Sequence, residues 1–200
     1  MKDQKIRLLF SISLLLSQCL FGQTEFLKLN GENDWEYALS TAESTDLPLM
    51  VYVCNPAEAI CNDFQEDIFK DKEIENYLSK RFIQLEVNTN SYWGSAFANA
   101  FHIDYLPAIL CFDNKGRAVG RQMGEATKES LLSFFKSSRS RAAQYDQLME
   151  AWKNDKLQSD GYCACADIFT LNERYYDAQK AGVECLRGLS PIFFTAVENR

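Results

Sequence analysis

The chain has 200 residues, of which 46% are hydrophobic and 24% charged, with a net charge of −7. That length allows one domain plus a substantial appendage, with a core that needs no disulfide staples. The acidic balance excludes a nucleic-acid binder, which needs basic patches to replace counterions, and keeps the chain off anionic membrane surfaces.

Residues 1–22 read as a secretory signal peptide. Lys2, Lys5 and Arg7 precede an apolar run from Leu8 to Leu16, and Cys19-Leu20-Phe21-Gly22 supplies a small-residue exit. Gln18 is a poor neighbour for a lipidated cysteine, so Cys19 does not favour a lipid anchor. The run is too short to span a bilayer and no other stretch is apolar enough, so stable membrane insertion is not expected. Losing Lys2, Lys5, Arg7 and Asp3 with the leader leaves 18 basic against 27 acidic residues, a net of −9. Export also places the thiols where disulfides persist.

Trp35, Ala38, Leu39 and Ala42 have the i, i+3, i+4, i+7 spacing of a helix beginning near Asn33. Asp46-Leu47-Pro48 closes the next loop and leads into Leu49 to Val53, an apolar run suited to a buried strand. Asn55 and Pro56 break that run. Ile60, Phe64 and Ile68 then mark one helix face, with Cys61 beside them. Ile74, Tyr77 and Leu78 predict a further amphipathic turn or two, and Phe82 to Asn88 a strand. Thr89 to Gly94 reads as a polar loop carrying Tyr92 and Trp93, followed by a helix through Phe97 and Phe101. A strand around Pro107, a turn at Asn114-Lys115-Gly116, a strand from Arg117 to Met123 and a helix from Thr127 complete the alternation, which predicts a mixed sheet sandwiched by helices. The polar, basic run Lys136 to Arg141 is the expected domain edge. Beyond it Tyr145, Leu148, Met149 and Trp152 form a helical stripe, and the residues up to Arg200 could open another helix.

Several of these segments resemble the thioredoxin superfamily. The strand, turn and helix of LMVYVCNPAEAICNDFQEDIF (49–69) have the local architecture of its active site. Ile103 to Gly116 looks like its cis-proline strand and hairpin turn. Met123 to Thr127, with Leu131, Leu132 and Phe135, looks like its last strand and C-terminal helix. The resemblance covers roughly residues 33–136 and implies an α/β thioredoxin-like fold with an α-helical extension. The expected divisions are residues 1–22 as leader, 23–138 as thioredoxin-like domain and 139–200 as helical extension. In the extension, Tyr162, Cys165, Ala166, Phe169, Ala178 and Cys185 resemble one tetratricopeptide-type helix pair. A single pair cannot bury its own face, which favours helices packed on the domain.

The chemistry carries over less completely. Aligned on the helix face, Cys61 takes the place of the second cysteine of C-x-x-C, Glu58 stands where the first should be, and Tyr52 replaces the family's buried acid. These departures lead to the expectation of an exported, periplasmic binding or adaptor module with lost or atypical dithiol activity. Its protein or peptide partner would be held at Tyr105, Leu106, Pro107 and Glu58. The alternative is a thiol–disulfide oxidoreductase using Cys61 with Cys54 or another cysteine. Cys61 itself reads either as a thiol activated at a helix N-terminus or as a packed small hydrophobe, the latter preferred because nothing basic lies nearby. Cys54 and Cys61 could form a redox pair, a fixed disulfide or two packed thiols. Tyr92 and Trp93 could flank the proline loop. Cys163, Cys165 and Cys111 default to core packing, and His102 to a structural role. No cofactor is called for, and no cluster has metal-ligand spacing.

Overall fold

Strand β2 (Leu49–Cys54) is buried at all six positions, as expected of a central strand covered on both sides. The computed structural model describes residues 26–189; the expected leader, Cys19 and the stretch to Arg200 lie outside the described residues. β2 pairs in parallel with β3 (Ile83–Asn88) and antiparallel with β4 (Ala108–Phe112). With β1 (Leu27–Lys28) and β5 (Ala118–Met123) the sheet order is β1-β3-β2-β4-β5.

Side chains alternate along a strand, so β2 feeds two cores. Met50, Tyr52 and Cys54 enter one, lined by Cys61 and Phe64 of α2 (Ala59–Phe64), Ile74 and Leu78 of α3 (Lys72–Ser79), and Leu131 and Phe135 of α5 (Lys128–Lys153). Leu49, Val51 and Val53 enter the other, with Ala38 of α1 (Glu32–Thr45) and Phe97 of α4 (Tyr92–Ala100). This is the mixed sheet with helices on both faces that the resemblance implies. A single π-helical turn, Gln65–Phe69, continues α2.

Two stretches read as a loop end and as a domain edge are helical. The polar stretch from Thr89 to Gly94 is not all loop. Ser91 is the N-cap of α4, its hydroxyl accepting from the Gly94 amide at 2.9 Å, which places Tyr92 and Trp93 in the first helical turn. The basic run Lys136 to Arg141 lies inside α5, which continues unbroken to Lys153. The helix's buried stripe passes through Ser138 there, a small residue against Gly120, whose missing Cβ would otherwise meet the serine hydroxyl. The hydrophobic signal lapses at this contact while the helix does not.

Beyond α5, α6 (Ser159–Leu171) and α7 (Tyr175–Leu189) pack against each other, and α6 also rests on β5 and α5. Asn172, just past α6, donates from Nδ2 to the Ala118 carbonyl at 2.9 Å, and Arg141 donates to the Val119 carbonyl at 3.2 Å. Cys165 is buried as expected, but Cys163 is not simply packed: it forms a disulfide with Cys185. The two sulfurs lie on different helices, so only the pairing of α6 with α7 brings them together.

That bridge spans 22 residues, a loop for which chain-entropy reasoning gives about 3 kcal/mol of stabilisation. Cys185→Ser is expected to lower unfolding stability by that order in urea titration. A change below about 0.5 kcal/mol would mean that packing alone holds the hairpin.

Candidate active site

The apolar run of β2 ends at Cys54, where Asn55 and Pro56 turn the chain, and α2 begins at Ala59 with Glu58 as its N-cap residue. This turn returns the chain so that Cys61, in the first turn of α2, meets the strand end. Cys54 and Cys61 form a disulfide with their Cα atoms 5.9 Å apart. Both are buried, at 4% and 2% exposure. Cys61 is therefore not a packed free thiol, and its sulfur partner comes from the strand rather than from position 58. Glu58 is exposed and accepts a hydrogen bond from Asn55 Nδ2 at 2.9 Å.

Each sulfur has one hydrogen-bonding neighbour. Tyr52 lies two residues before Cys54 on the same strand face, and its hydroxyl is 2.9 Å from Cys54 Sγ. The same hydroxyl donates to the Cys61 carbonyl at 3.0 Å. Its ring is fixed among Phe26, Phe64 and Phe69. Burial, and secondarily the charge of Glu86, push the phenol pKa well up, so the group stays protonated. Cys61 Sγ instead accepts from the backbone N–H of Asn55 at 3.3 Å. The Asn55 side chain holds the turn: its Oδ1 accepts from the Ala57 amide at 2.9 Å and from Asn90 Nδ2 at 2.6 Å.

The Leu106–Pro107 peptide bond is cis. Pro107 is buried one residue beyond the Val53–Ala108 register pair, at the level of Cys54. Leu106 is half-buried against both cores, whereas Tyr105 is 69% exposed. Tyr92 and Trp93 are exposed and stack edge to face. His102 is exposed and pairs with Glu173 at 3.1 Å. The thiols of Cys111 and Cys165 are buried, and burial raises them to about 12 and about 11. Among the described residues no group of His, Cys, Asp and Glu is placed to hold a metal ion.

Sequence reasoning placed Tyr52 only as a substitution for an acid and missed its contact with sulfur. The two-residue period of a strand, which puts Tyr52 and Cys54 on one face, was the signal available. The tie between Asn55 and Asn90, 35 residues apart, has no such signal.

A family model described as a thioredoxin-like domain matches residues 35–138. The chain belongs to the thioredoxin-like family. A curated relative, the thiol:disulfide interchange protein DsbD of Pseudoalteromonas atlantica, is 27% identical over 124 residues, covering 56% of this chain. The match covers only 21% of that relative's length. The solution structure of a thioredoxin from Thermus thermophilus superposes with a TM-score of 0.52 at 18% identity, over 56% of this chain and 88% of the other, a likeness of fold alone. The expectation of a binding or adaptor module with lost or atypical dithiol activity is overturned by two findings together. Cys54 and Cys61 of this thioredoxin-like domain form a disulfide, and the relative it matches is a thiol:disulfide interchange protein. The physical reason for the error is the weight given to the missing cysteine at position 58, when the strand end at Cys54 is also within bridging reach.

Asn55→Ala removes the side-chain bonds to Ala57, Glu58 and Asn90. It is expected to cost on the order of 1–2 kcal/mol and to speed hydrogen exchange in residues 55–62. Unchanged exchange there would show that the bridge alone sets the turn.

Proposed function

We propose that this thioredoxin-like protein is a thiol–disulfide oxidoreductase whose exchanging pair is Cys54 and Cys61. The observation that carries the reading is the disulfide itself, placed where a strand end meets a helix start at the level of Pro107, with a hydrogen-bonding group on each sulfur. Reduction of the pair consumes two electrons and two protons from a partner dithiol, and the reverse reaction reduces a partner disulfide. Among the described residues the free thiols of Cys111 and Cys165 suit this role poorly, because burial keeps both protonated.

The partner is a protein or peptide that lies along Tyr105, Leu106 and Pro107 and passes Glu58. The exposure of Tyr105, directly beside the half-buried Leu106, supports that placement. An exported location, the periplasm of a bacterium, is part of the proposal. It is supported by the basic start and apolar run of residues 1–22 and by a pair of disulfides of the kind that persist outside a reducing cytosol. Among the described residues no helix is long and apolar enough to cross a membrane.

Turnover of a peptide disulfide with excess dithiol tests the reading. The wild-type chain is expected to exceed background at least tenfold, and Cys54→Ser or Cys61→Ser to return the rate to background, whereas Cys185→Ser retains it. A wild-type rate equal to background would sink the proposal.

A further inference from the structure

The two bridging sulfurs have unlike surroundings. Cys61 Sγ faces a backbone N–H whose direction is fixed by the chain, at 3.3 Å. Cys54 Sγ faces a hydroxyl at 2.9 Å that can rotate about its C–O bond and already holds an alternative acceptor, the Cys61 carbonyl at 3.0 Å. A disulfide sulfur is a weak acceptor, so in the oxidised protein the carbonyl takes the proton; a thiolate is a strong one and reverses that preference. The phenol therefore has two acceptors within reach, whose relative strength depends on the oxidation state of Cys54.

We infer that Tyr52 makes Cys54 the leaving and resolving sulfur, and leaves Cys61 as the sulfur that bonds to substrate. The inference rests on the oxidoreductase reading of the same site. In the oxidising direction a partner thiolate attacks Cys61 Sγ, the Cys54–Cys61 bond breaks, and its electron pair goes to Cys54 Sγ. The Tyr52 hydroxyl turns from the Cys61 carbonyl to that thiolate. The partner's second thiolate then attacks its own sulfur in the mixed disulfide and expels Cys61 as thiolate. Two protons taken from solvent leave both cysteines as thiols, and the partner carries the new disulfide. Run backwards, Cys61 thiolate opens a partner disulfide and Cys54 resolves the intermediate. Tyr52 donates a hydrogen bond throughout and never transfers its proton, since burial and Glu86 make it a far weaker acid than a thiol. Glu86, beside Tyr52 in the register of β3, and Glu58, the N-cap residue of α2, are the carboxylates that the flanking strand and helix bring to this end of β2. Both oppose a thiolate, so the phenol's hydrogen bond is the local feature that favours one at Cys54.

Tyr52→Phe keeps the ring and removes the hydroxyl. In the full chain carrying Cys61→Ser, the pH midpoint of iodoacetamide alkylation at Cys54, located by peptide mass spectrometry, is expected to rise by about one unit when Tyr52→Phe is added. The rate near neutral pH then falls several-fold. In the Cys54→Ser background, the same substitution should leave the Cys61 midpoint nearly unmoved. Equal shifts at both cysteines, or none at Cys54, would overturn the role of Tyr52 whatever the turnover assay gives. A second arm leaves Tyr52 intact: with a peptide disulfide as probe, Cys54→Ser should accumulate a mixed disulfide through Cys61 faster than Cys61→Ser does through Cys54. The opposite order overturns the assignment of the two sulfurs. A shifted Cys54 midpoint with no wild-type turnover would leave the hydrogen bond standing and remove the oxidoreductase reading beneath it.

Discussion

β2 has no face turned to water, and that constraint decides where everything else can lie. With both sides committed to cores, a slip of one residue would exchange Tyr52 and Cys54 for Val51 and Val53. The phenol and the sulfur would then enter an apolar layer of aliphatic and aromatic side chains. The register is thus fixed by polar need as well as by apolar burial. Because Cys54 closes the strand on the α2 side, its sulfur is presented to the helix that follows.

Much of this was legible in the sequence because it rests on local pattern. The buried run from Leu49, the break at Asn55 and Pro56 and the helical spacing of Ile60, Phe64 and Ile68 each depend on near neighbours. The features that escaped depend on partners brought together only by folding. Cys163 reads as core until α7 carries Cys185 opposite it, and nothing near Asn55 in sequence announces Asn90. The misplaced loop end at Tyr92 has another cause. Ser91 and its polar neighbours look like loop residues because capping a helix demands the same chemistry as leaving one.

The cysteines separate by distance as much as by environment. Cys111 shares a sheet face with Cys54 and stands opposite Met50 in the register. Four residues of strand separate that rung from Cys54, about 13 Å at the ordinary strand rise, which is well beyond bridging reach. Cys165 lies on α6 against the Leu148 carbonyl. Neither can intercept the Cys54–Cys61 bridge without unfolding, so the pairing is defined by geometry before thiol acidity enters.

The margins of the sheet have a consequence for how this molecule behaves in a crowded solution. One outer strand, β1, is only two residues long. Along the other, β5, two successive carbonyls at Ala118 and Val119 are occupied by side chains of Asn172 and Arg141. A foreign strand seeking to extend the sheet finds a stub on one flank and plugged acceptors on the other. The helical extension is therefore more than an appendage: its Asn172 and Arg141 take up the first two carbonyls of β5 and leave less of that edge open to strand-to-strand association.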